Sequence, residues 1–180
     1  AAAVGIVEKV ISFLFLVPSS MLSSVSALGA QNFGAGKPER AVETLKYAIM
    51  IALGFGLTVA VVIQFAADPV VSLFTDNGTV IHSGGQYLRG YIWDCVFAGI
   101  HFSFSGYFCA CQKSGLSFLH NITAIVLVRG PGVYMMSRLF SDTLYPMGLA
   151  TAAGSLLSVI ICVIAFTILL KKERKNKAFR

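Results

Sequence analysis

The chain has 180 residues, of which 56% are hydrophobic and only 12% are charged. A soluble domain of this length could not cover its surface with so few charges, so the composition indicates a membrane protein with several spans. The net charge of +6 does not indicate nucleic-acid binding, because six basic residues lie in the terminal stretch KKERKNKAFR. A basic cluster beside an apolar helix is typical of the cytoplasmic face of a membrane.

Five apolar stretches of about 20 residues predict transmembrane helices. They lie near residues 6–30, 44–67, 87–111, 116–138 and 147–170. The fold class is therefore an all-α polytopic helix bundle. Pro18 stands in the middle of the first span and predicts a kink there, because proline removes a backbone hydrogen bond. In the fifth span, Gly148, Ala152 and Ser155 predict close packing against another helix.

The segments between the spans predict the topology through their charges. Residues 31–43 form a short basic loop, residues 68–86 a longer acidic loop, residues 112–115 a tight turn, and residues 139–146 a last loop. Five alternating spans place 31–43, 112–115 and the tail 171–180 on one side, which collects ten of the fourteen basic residues. Basic residues gather on the cytoplasmic side. We therefore expect a multi-pass protein of the plasma membrane with a cytoplasmic C-terminus.

Asp94, in the third span, is the strongest candidate for a functional side chain, because a charge in an apolar span is costly. Helical spacing puts Tyr87, Tyr91, Ala98 and His101 on its face. This stripe combines an anion, aromatic walls and a titratable ring. It could bind a cation, sodium included, or exchange protons with an organic cation. The alternative is a purely structural ion pair.

Arg129, in the fourth span, is the partner expected for Asp94. Its span runs in the opposite direction, so the two side chains can meet at a similar depth. Residues 130–132, GPG, interrupt the helix, and broken helices tend to flank substrate sites; a kink whose free carbonyls bind Arg129 is the alternative. Glu8 opens the first span, where a position at the membrane interface explains it as well as a functional role does.

No catalytic or metal-binding motif is present, so we expect neither an enzyme nor a bound cofactor. GxSxG, HExxH and paired carboxylates are missing from the sequence. The cysteines have no zinc-ligand spacing with nearby histidines and are interpreted as packing residues: Cys95, Cys109, Cys111 and Cys162. His82 and His120 lie near span ends and carry no functional assignment.

The stretch GAQNFGAGKPERA, residues 29–41, resembles a phosphate-binding loop only superficially. A Walker loop needs glycine where Gln31 stands and serine or threonine where Pro38 stands. A tight cytoplasmic turn fits better. Gly34 and Gly36 permit the reversal, the charges of Lys37 and Arg40 hold it at the membrane surface, and a proline opens the next helix.

The motif QNFGAGKPERA, including Gln31, Asn32, Gly34, Gly36 and Arg40, resembles the signature that follows the eighth helix of multidrug and toxic compound extrusion (MATE) transporters. AAAVGI…VPSS before it agrees with that family, as do YLRGYIWDCVF, VRGPGVYMMSR and LYPMGLATAAGSL after it. Order and spacing match over nearly the whole chain. Ala30 stands where the family often has glycine.

The resemblance implies that the spans are helices eight to twelve of a twelve-helix protein with two six-helix lobes. Residues 1–170 would then form an incomplete C-terminal lobe, and the N-terminal lobe would be its partner within one chain. The start without methionine or a secretory leader agrees with a piece of a longer protein.

The family's function implies an antiporter that exports organic cations and other amphipathic drugs in exchange for sodium or protons. Asp94 lies in the helix that, in part of the family, carries an acidic residue of the cation site. The acidic partner expected on the seventh helix lies outside this sequence. Two other interpretations stay open: a related flippase for lipid-linked or polysaccharide precursors, and a nontransporting assembly or sensor subunit in which Asp94 and Arg129 lock the packing.

Overall fold

The structure is a computed structural model that describes residues 2–140 and 142–178, with the stretch 173–178 given by its backbone only. Most of the predicted basic tail, 171–180, therefore lies outside the described side chains. All regular elements of the described residues are helical, which confirms the all-α class. The helices are α1 Ala2–Leu14, α2 Leu16–Gly34, α3 Pro38–Ser72, α4 Gly78–Tyr91, α5 Trp93–Ala110, α6 Ser114–Ala124, α7 Gly130–Leu139 and α8 Tyr145–Ala178, and a π-helical turn, Ile125–Arg129, joins α6 to α7.

Four helical segments of the described chain are long and apolar enough to cross a membrane. They are Ala2–Gly34, Pro38–Ser72, Ser114–Leu139 and Tyr145–Lys172. Each contains one of the predicted spans and extends beyond it at both ends. The polytopic helix bundle expected from the composition is thereby confirmed.

The predicted third span, 87–111, falls on the end of α4 and on α5, which are separated only by Ile92. This segment is not among the four apolar ones, because Asp94, His101 and two serines lower its hydropathy. Such residues are tolerated where a helix is surrounded by others, and α5 packs against α2, α3 and α8. A membrane crossing by this segment stays a prediction.

Two predicted loops are much shorter than expected. The first, 31–43, shrinks to residues 35–37, because α2 continues to Gly34 and α3 begins at Pro38. The second, 68–86, shrinks to residues 73–77. There α3 continues through Pro69, and the Asn77 side chain caps α4 by accepting the backbone N–H groups of Thr79 and Val80 at 3.1 and 3.2 Å. The prediction of a long acidic loop was wrong, because turn-forming residues also cap helices.

Near Pro18, where the sequence predicted a kink, the helix is interrupted at Phe15, between α1 and α2. Proline lacks the N–H group that would bond to the carbonyl four residues earlier, which belongs to Leu14. The Cys95 thiol of α5 points at that carbonyl, with 3.9 Å between Sγ and O. The break thus faces the centre of the bundle, where another helix meets the freed backbone group.

Small residues let α5 sit close to its neighbours. A Cβ atom on Gly106 would lie 2.5 Å from the Leu22 carbonyl of α2, and one on Gly99 would lie 2.7 Å from Cβ of Ala52 in α3. A side chain at either position would separate the helices. The central position of α5 therefore depends on the absence of side chains along it.

The crossing of α4 and α8 brings two glycines together. A Cβ on Gly148 would lie 2.5 Å from both the Tyr87 carbonyl oxygen and the Tyr91 nitrogen, next to Gly90. Ala152 and Ser155, farther along α8, are buried. The predicted close packing of the fifth span is confirmed, and it holds the helix that carries Tyr91 against α8.

We expect Gly148→Leu to destabilise the protein by about 1–3 kcal/mol, the usual cost of overpacking, because α4 and α8 would have to separate. Gly54→Leu is the matched control, since Gly54 is also helical but exposed, with no atom within 4 Å of its added Cβ. Melting temperatures of the complete protein in detergent measure both variants. Equal melting temperatures would contradict the proposed role of this crossing.

Candidate functional site

Asp94 lies in the first turn of α5, and its side chain is fully buried. Its Oδ2 atom is 3.4 Å from Nη2 of Arg129, which belongs to the predicted fourth span, within the segment Ser114–Leu139. The pairing expected from span direction and depth is therefore present. The other oxygen, Oδ1, has no hydrogen-bond partner among the described residues. The Ser155 side chain lies close to the carboxyl group. The carboxylate is thus bound by arginine through one oxygen, while its other oxygen is buried without a hydrogen-bond partner in the described part of the chain.

Arg129 is placed by the irregular backbone around it. It ends the π-helical turn, and Gly130, Pro131 and Gly132 follow. Proline cannot donate to the carbonyl four residues earlier, and its ring crowds that carbonyl, so the preceding turn widens. The interruption predicted from GPG is therefore a π-turn, after which the helix continues. Its effect is to present a guanidinium group to the interior of the bundle.

Tyr91 joins Arg129 to the aromatic stripe. The Nη2 atom of Arg129 donates to the Tyr91 hydroxyl at 2.6 Å, and the guanidinium carbon lies 5.7 Å from the centre of the ring. Tyr87 packs edge-on against Tyr91, with 5.4 Å between ring centres, and its hydroxyl donates to Oε1 of Glu8 at 3.0 Å. A continuous path of polar contacts and edge-on rings thus runs from Glu8 to Asp94.

A cavity of about 370 Å³ lies between α1, α5, the π-turn and α8. Four of the predicted site residues line it, namely Glu8, Tyr91, His101 and Arg129. Asp94 lies behind this wall, in contact with Arg129. Polar neighbours complete the lining: Ser12, Asn121, Ser155 and Ser158. The structure therefore gathers residues from four segments around one cavity, with an acidic group on one wall and a basic group on another.

His101 and His120 form a second buried cluster beside this cavity. Their rings meet edge-on with 5.5 Å between centres, and Nδ1 of His101 has no partner in the described part of the chain. His120 contacts Ser105 through Nε2 at 2.8 Å and Ser158 through Nδ1 at 3.2 Å. The sequence analysis gave His120 no role because it stands near a span end. The residue is nevertheless buried, because it lies in the middle of α6, where α5 and α8 cover it.

A second ion pair, Asp68 with Arg89, was not expected from the sequence. The Nη1 and Nη2 atoms of Arg89 donate to Oδ1 and Oδ2 of Asp68 at 3.2 and 3.0 Å. Arg89 and Gln64 also exchange hydrogen bonds, each donating from its side chain to the backbone carbonyl of the other. The pair joins α3 to α4 away from the cavity. Its fork geometry and its partial exposure identify it as a structural link between two helices.

The glycine-rich turn has its amide groups already engaged. The N–H groups of Ala35, Gly36 and Lys37 donate to the carbonyls of Gln31, Phe33 and Asn32, respectively, which close the end of α2. Gly36 has a φ of +69°, which glycine adopts without strain.

These hydrogen bonds decide between the two interpretations of the turn. The Asn32 side chain bonds back to the Leu28 carbonyl, and Arg40 lies in the first turn of α3, where its N–H donates to the Lys37 carbonyl. Amides used in this way cannot surround a phosphate, so the geometry favours the reversal.

Comparisons with known proteins agree with this architecture. The chain is similar to a protein named FAD transporter from Shewanella oneidensis, with 28% identity over 163 residues, which is 89% of this chain and 35% of that protein. The chain thus spans about a third of the length of this curated relative. No solved structure matches it. The family model MatE matches residues 1–135, three quarters of the sequence. The chain therefore belongs to the MatE family, as the resemblance of its motifs to MATE transporters implied.

Proposed function

We propose that the chain forms part of the C-terminal lobe of an ion-coupled antiporter. Membership of the MatE family and the relative's name indicate a transporter rather than an enzyme. The observation that supports ion coupling is the pair of Asp94 and Arg129: a fully buried carboxylate, bound on one side by an arginine that faces a cavity. Ionisable groups within membrane segments commonly mark ion and substrate pathways.

In this proposal, transport is coupled to the ion because the ion and Arg129 compete for the Asp94 carboxylate. A proton or a sodium ion on the carboxylate would weaken its attraction to Arg129 and free the guanidinium group for the cavity. Sodium would use oxygen ligands, and the Asp94 carboxylate and the hydroxyls of Tyr91 and Ser155 are the nearby candidates. An ion that binds one facing state better shifts the population toward that state. The transporter would then alternate its access by rocking its two lobes.

The exported substrate in this proposal is an organic cation or another amphipathic drug. Glu8 supplies a negative charge on the cavity wall, and Phe15, Tyr91 and Phe102 supply aromatic faces, a combination that suits cations. The volume of about 370 Å³ lies at the lower end of the range for ligand sites, roughly 300–1,000 Å³.

A flavin dinucleotide is the second candidate substrate. The relative from Shewanella oneidensis is named FAD transporter. Arg129 on the cavity wall would suit a phosphate group, because guanidinium groups bind phosphates with two parallel hydrogen bonds. A cavity of this size would hold only part of such a molecule, with the remainder lying against the lobe that this sequence does not include.

Two alternatives to antiport give distinct expectations. A flippase for lipid-linked precursors would move neither ethidium nor FAD. An assembly or sensor subunit would need the pair of Asp94 and Arg129 only for packing. The protein is a multi-pass membrane protein by family and hydropathy. We propose the plasma membrane as its location and the cytoplasm as the side of its C-terminus.

Asp94→Asn in the complete protein should abolish the dependence of efflux on a sodium or proton gradient, because the amide can no longer bind the ion as a carboxylate does. We expect a loss of about tenfold or more, within the usual range of coupling between sites. Transport of ethidium and of FAD into inverted vesicles measures the effect. Asp68→Asn is the matched control, since it removes an aspartate paired with arginine away from the cavity. Unchanged coupling in Asp94→Asn would refute the role of Asp94.

The double variant Asp94→Asn, Arg129→Gln separates coupling from packing. Removing one partner of a buried ion pair leaves the other uncompensated, and removing both relieves that cost. A transporter that used the pair only for packing would therefore regain, in the double variant, the stability and the transport lost by the single variant. Under our proposal stability returns while ion-coupled efflux stays absent. Melting temperature and vesicle transport, measured on the same preparations, distinguish the two results.

The topology predicts opposite labelling of two connections. Single cysteines at Asp76 and Lys113, in a protein whose native cysteines are replaced, should differ when intact cells meet an impermeant maleimide. Only the cysteine at 76 should react, because 73–77 is the outer connection in the proposed orientation. Asp76 is preferred to Asn77 because Asn77 caps α4. Labelling at 113 alone would reverse the proposed orientation.

A further inference from the structure

A second cavity, of about 390 Å³, forms an apolar groove between α5, α6 and α8. We call it the α6–α8 groove. Its lining is Phe108, Leu116, Leu119, His120, Ile161, Cys162, Ile164, Ala165, Ile168 and Leu169. Apart from His120, which is also close to the polar cavity, none of these residues belongs to the candidate site described above. The groove is therefore a separate feature of the molecule.

The groove has a buried floor and open walls. Phe108 and Cys162 are fully buried beneath it, while Leu119, Ile164 and Ile168 are more than half exposed along its sides. His120 adds no free polar atom, since both of its ring nitrogens contact serine hydroxyls. An occupant of this groove would therefore meet only apolar surface.

The length of the groove suits an acyl chain. Its wall on α8 runs from Ile161 to Leu169, about 12 Å at 1.5 Å per residue. One leaflet of a bilayer has a hydrocarbon depth of about 15 Å, half of the usual ~30 Å core. A lipid tail lying along α8 would thus be in contact with the groove over most of its leaflet.

Three lysines stand at one end of the groove. Lys113 precedes the wall residue Leu116 by three positions, and Lys171 and Lys172 follow the wall residue Leu169 by two and three. Three residues are about one helical turn, so all three positions lie within roughly one turn of the apolar wall. All three lysines are exposed. The ion pairs found in the described residues, Arg89 with Asp68 and Arg129 with Asp94, do not involve them.

We propose that the α6–α8 groove binds an anionic phospholipid, with one acyl chain in the groove and the headgroup phosphate among Lys113, Lys171 and Lys172. The charge at the end of the groove favours this occupant, because an anionic headgroup is attracted to the three ammonium groups, whereas a neutral lipid or an apolar helix is not. Each basic residue near a membrane surface strengthens binding to anionic lipid about fivefold. The site is independent of the coupling proposed for Asp94.

Native mass spectrometry of the complete protein tests this site. The delipidated protein is mixed with equal amounts of phosphatidylglycerol and phosphatidylcholine carrying the same acyl chains. The wild type should retain the anionic lipid in excess, on the order of a hundredfold if each of the three lysines contributes about fivefold. The triple variant Lys113→Gln, Lys171→Gln, Lys172→Gln should lose this preference. The matched control, Lys37→Gln, Arg40→Gln, Lys46→Gln, removes three basic residues on and beside the 35–37 turn and should keep it.

A second pair of variants tests the groove itself. Ala165→Phe should fill the groove and reduce retention of both lipids, whereas Val163→Phe, an exposed position on the same helix outside the lining, should not. Melting temperatures show which variants fold. Equal retention of the two lipids by the wild type, or equal losses in the two lysine triples, would overturn the proposal. So would a groove covered by a second copy, seen as a dimer that Ala165→Phe dissociates.

Discussion

The contact between Asp94 and Arg129 is the constraint on which the candidate site depends. A lone charge within a membrane segment is costly, and a buried carboxylate is stabilised only when a partner and hydrogen bonds compensate its lost hydration. Here Asp94 is fully buried, and Arg129 reaches it at 3.4 Å while remaining partly exposed to the cavity. The two charges are therefore not equivalent. One is fixed in the bundle, and the other lies between that charge and the cavity.

Backbone irregularities bring this pair together. Ile92 separates α4 from α5 just before Asp94, and the π-turn of 125–129 ends at Arg129. The interruption at Phe15 lies on the other side of the same region, where the Cys95 thiol contacts the carbonyl of Leu14. The chain thus departs from regular helical geometry at three places around one cavity: between α1 and α2, between α4 and α5, and between α6 and α7. Regular helices would satisfy every backbone group internally but would point their side chains along a fixed spiral.

The rest of the bundle keeps that region at its centre. Gly99 and Gly106 allow α5 to touch α3 and α2, and the pair of Gly90 and Gly148 fixes α4 against α8. The link between Asp68 and Arg89 repeats the chemistry of the central pair, but neither residue lines the polar cavity. Comparison of the two pairs shows that an ion pair becomes a candidate for function through its surroundings. The polar cavity and the apolar groove are likewise distinguished by the residues that line them.

The sequence by itself determined the class, the family resemblance, the position of four apolar segments and the pairing of Asp94 with Arg129. Hydropathy, charge bias and opposed span direction carry that information, because each follows from local composition or from simple alternation across a membrane. The tertiary structure decided the short connections, the contact between Glu8 and Tyr87, the burial of His120 and the groove between α6 and α8. Apolar residues look alike in sequence whether they face lipid or another helix, so only the packing of the helices reveals which polar side chains they enclose.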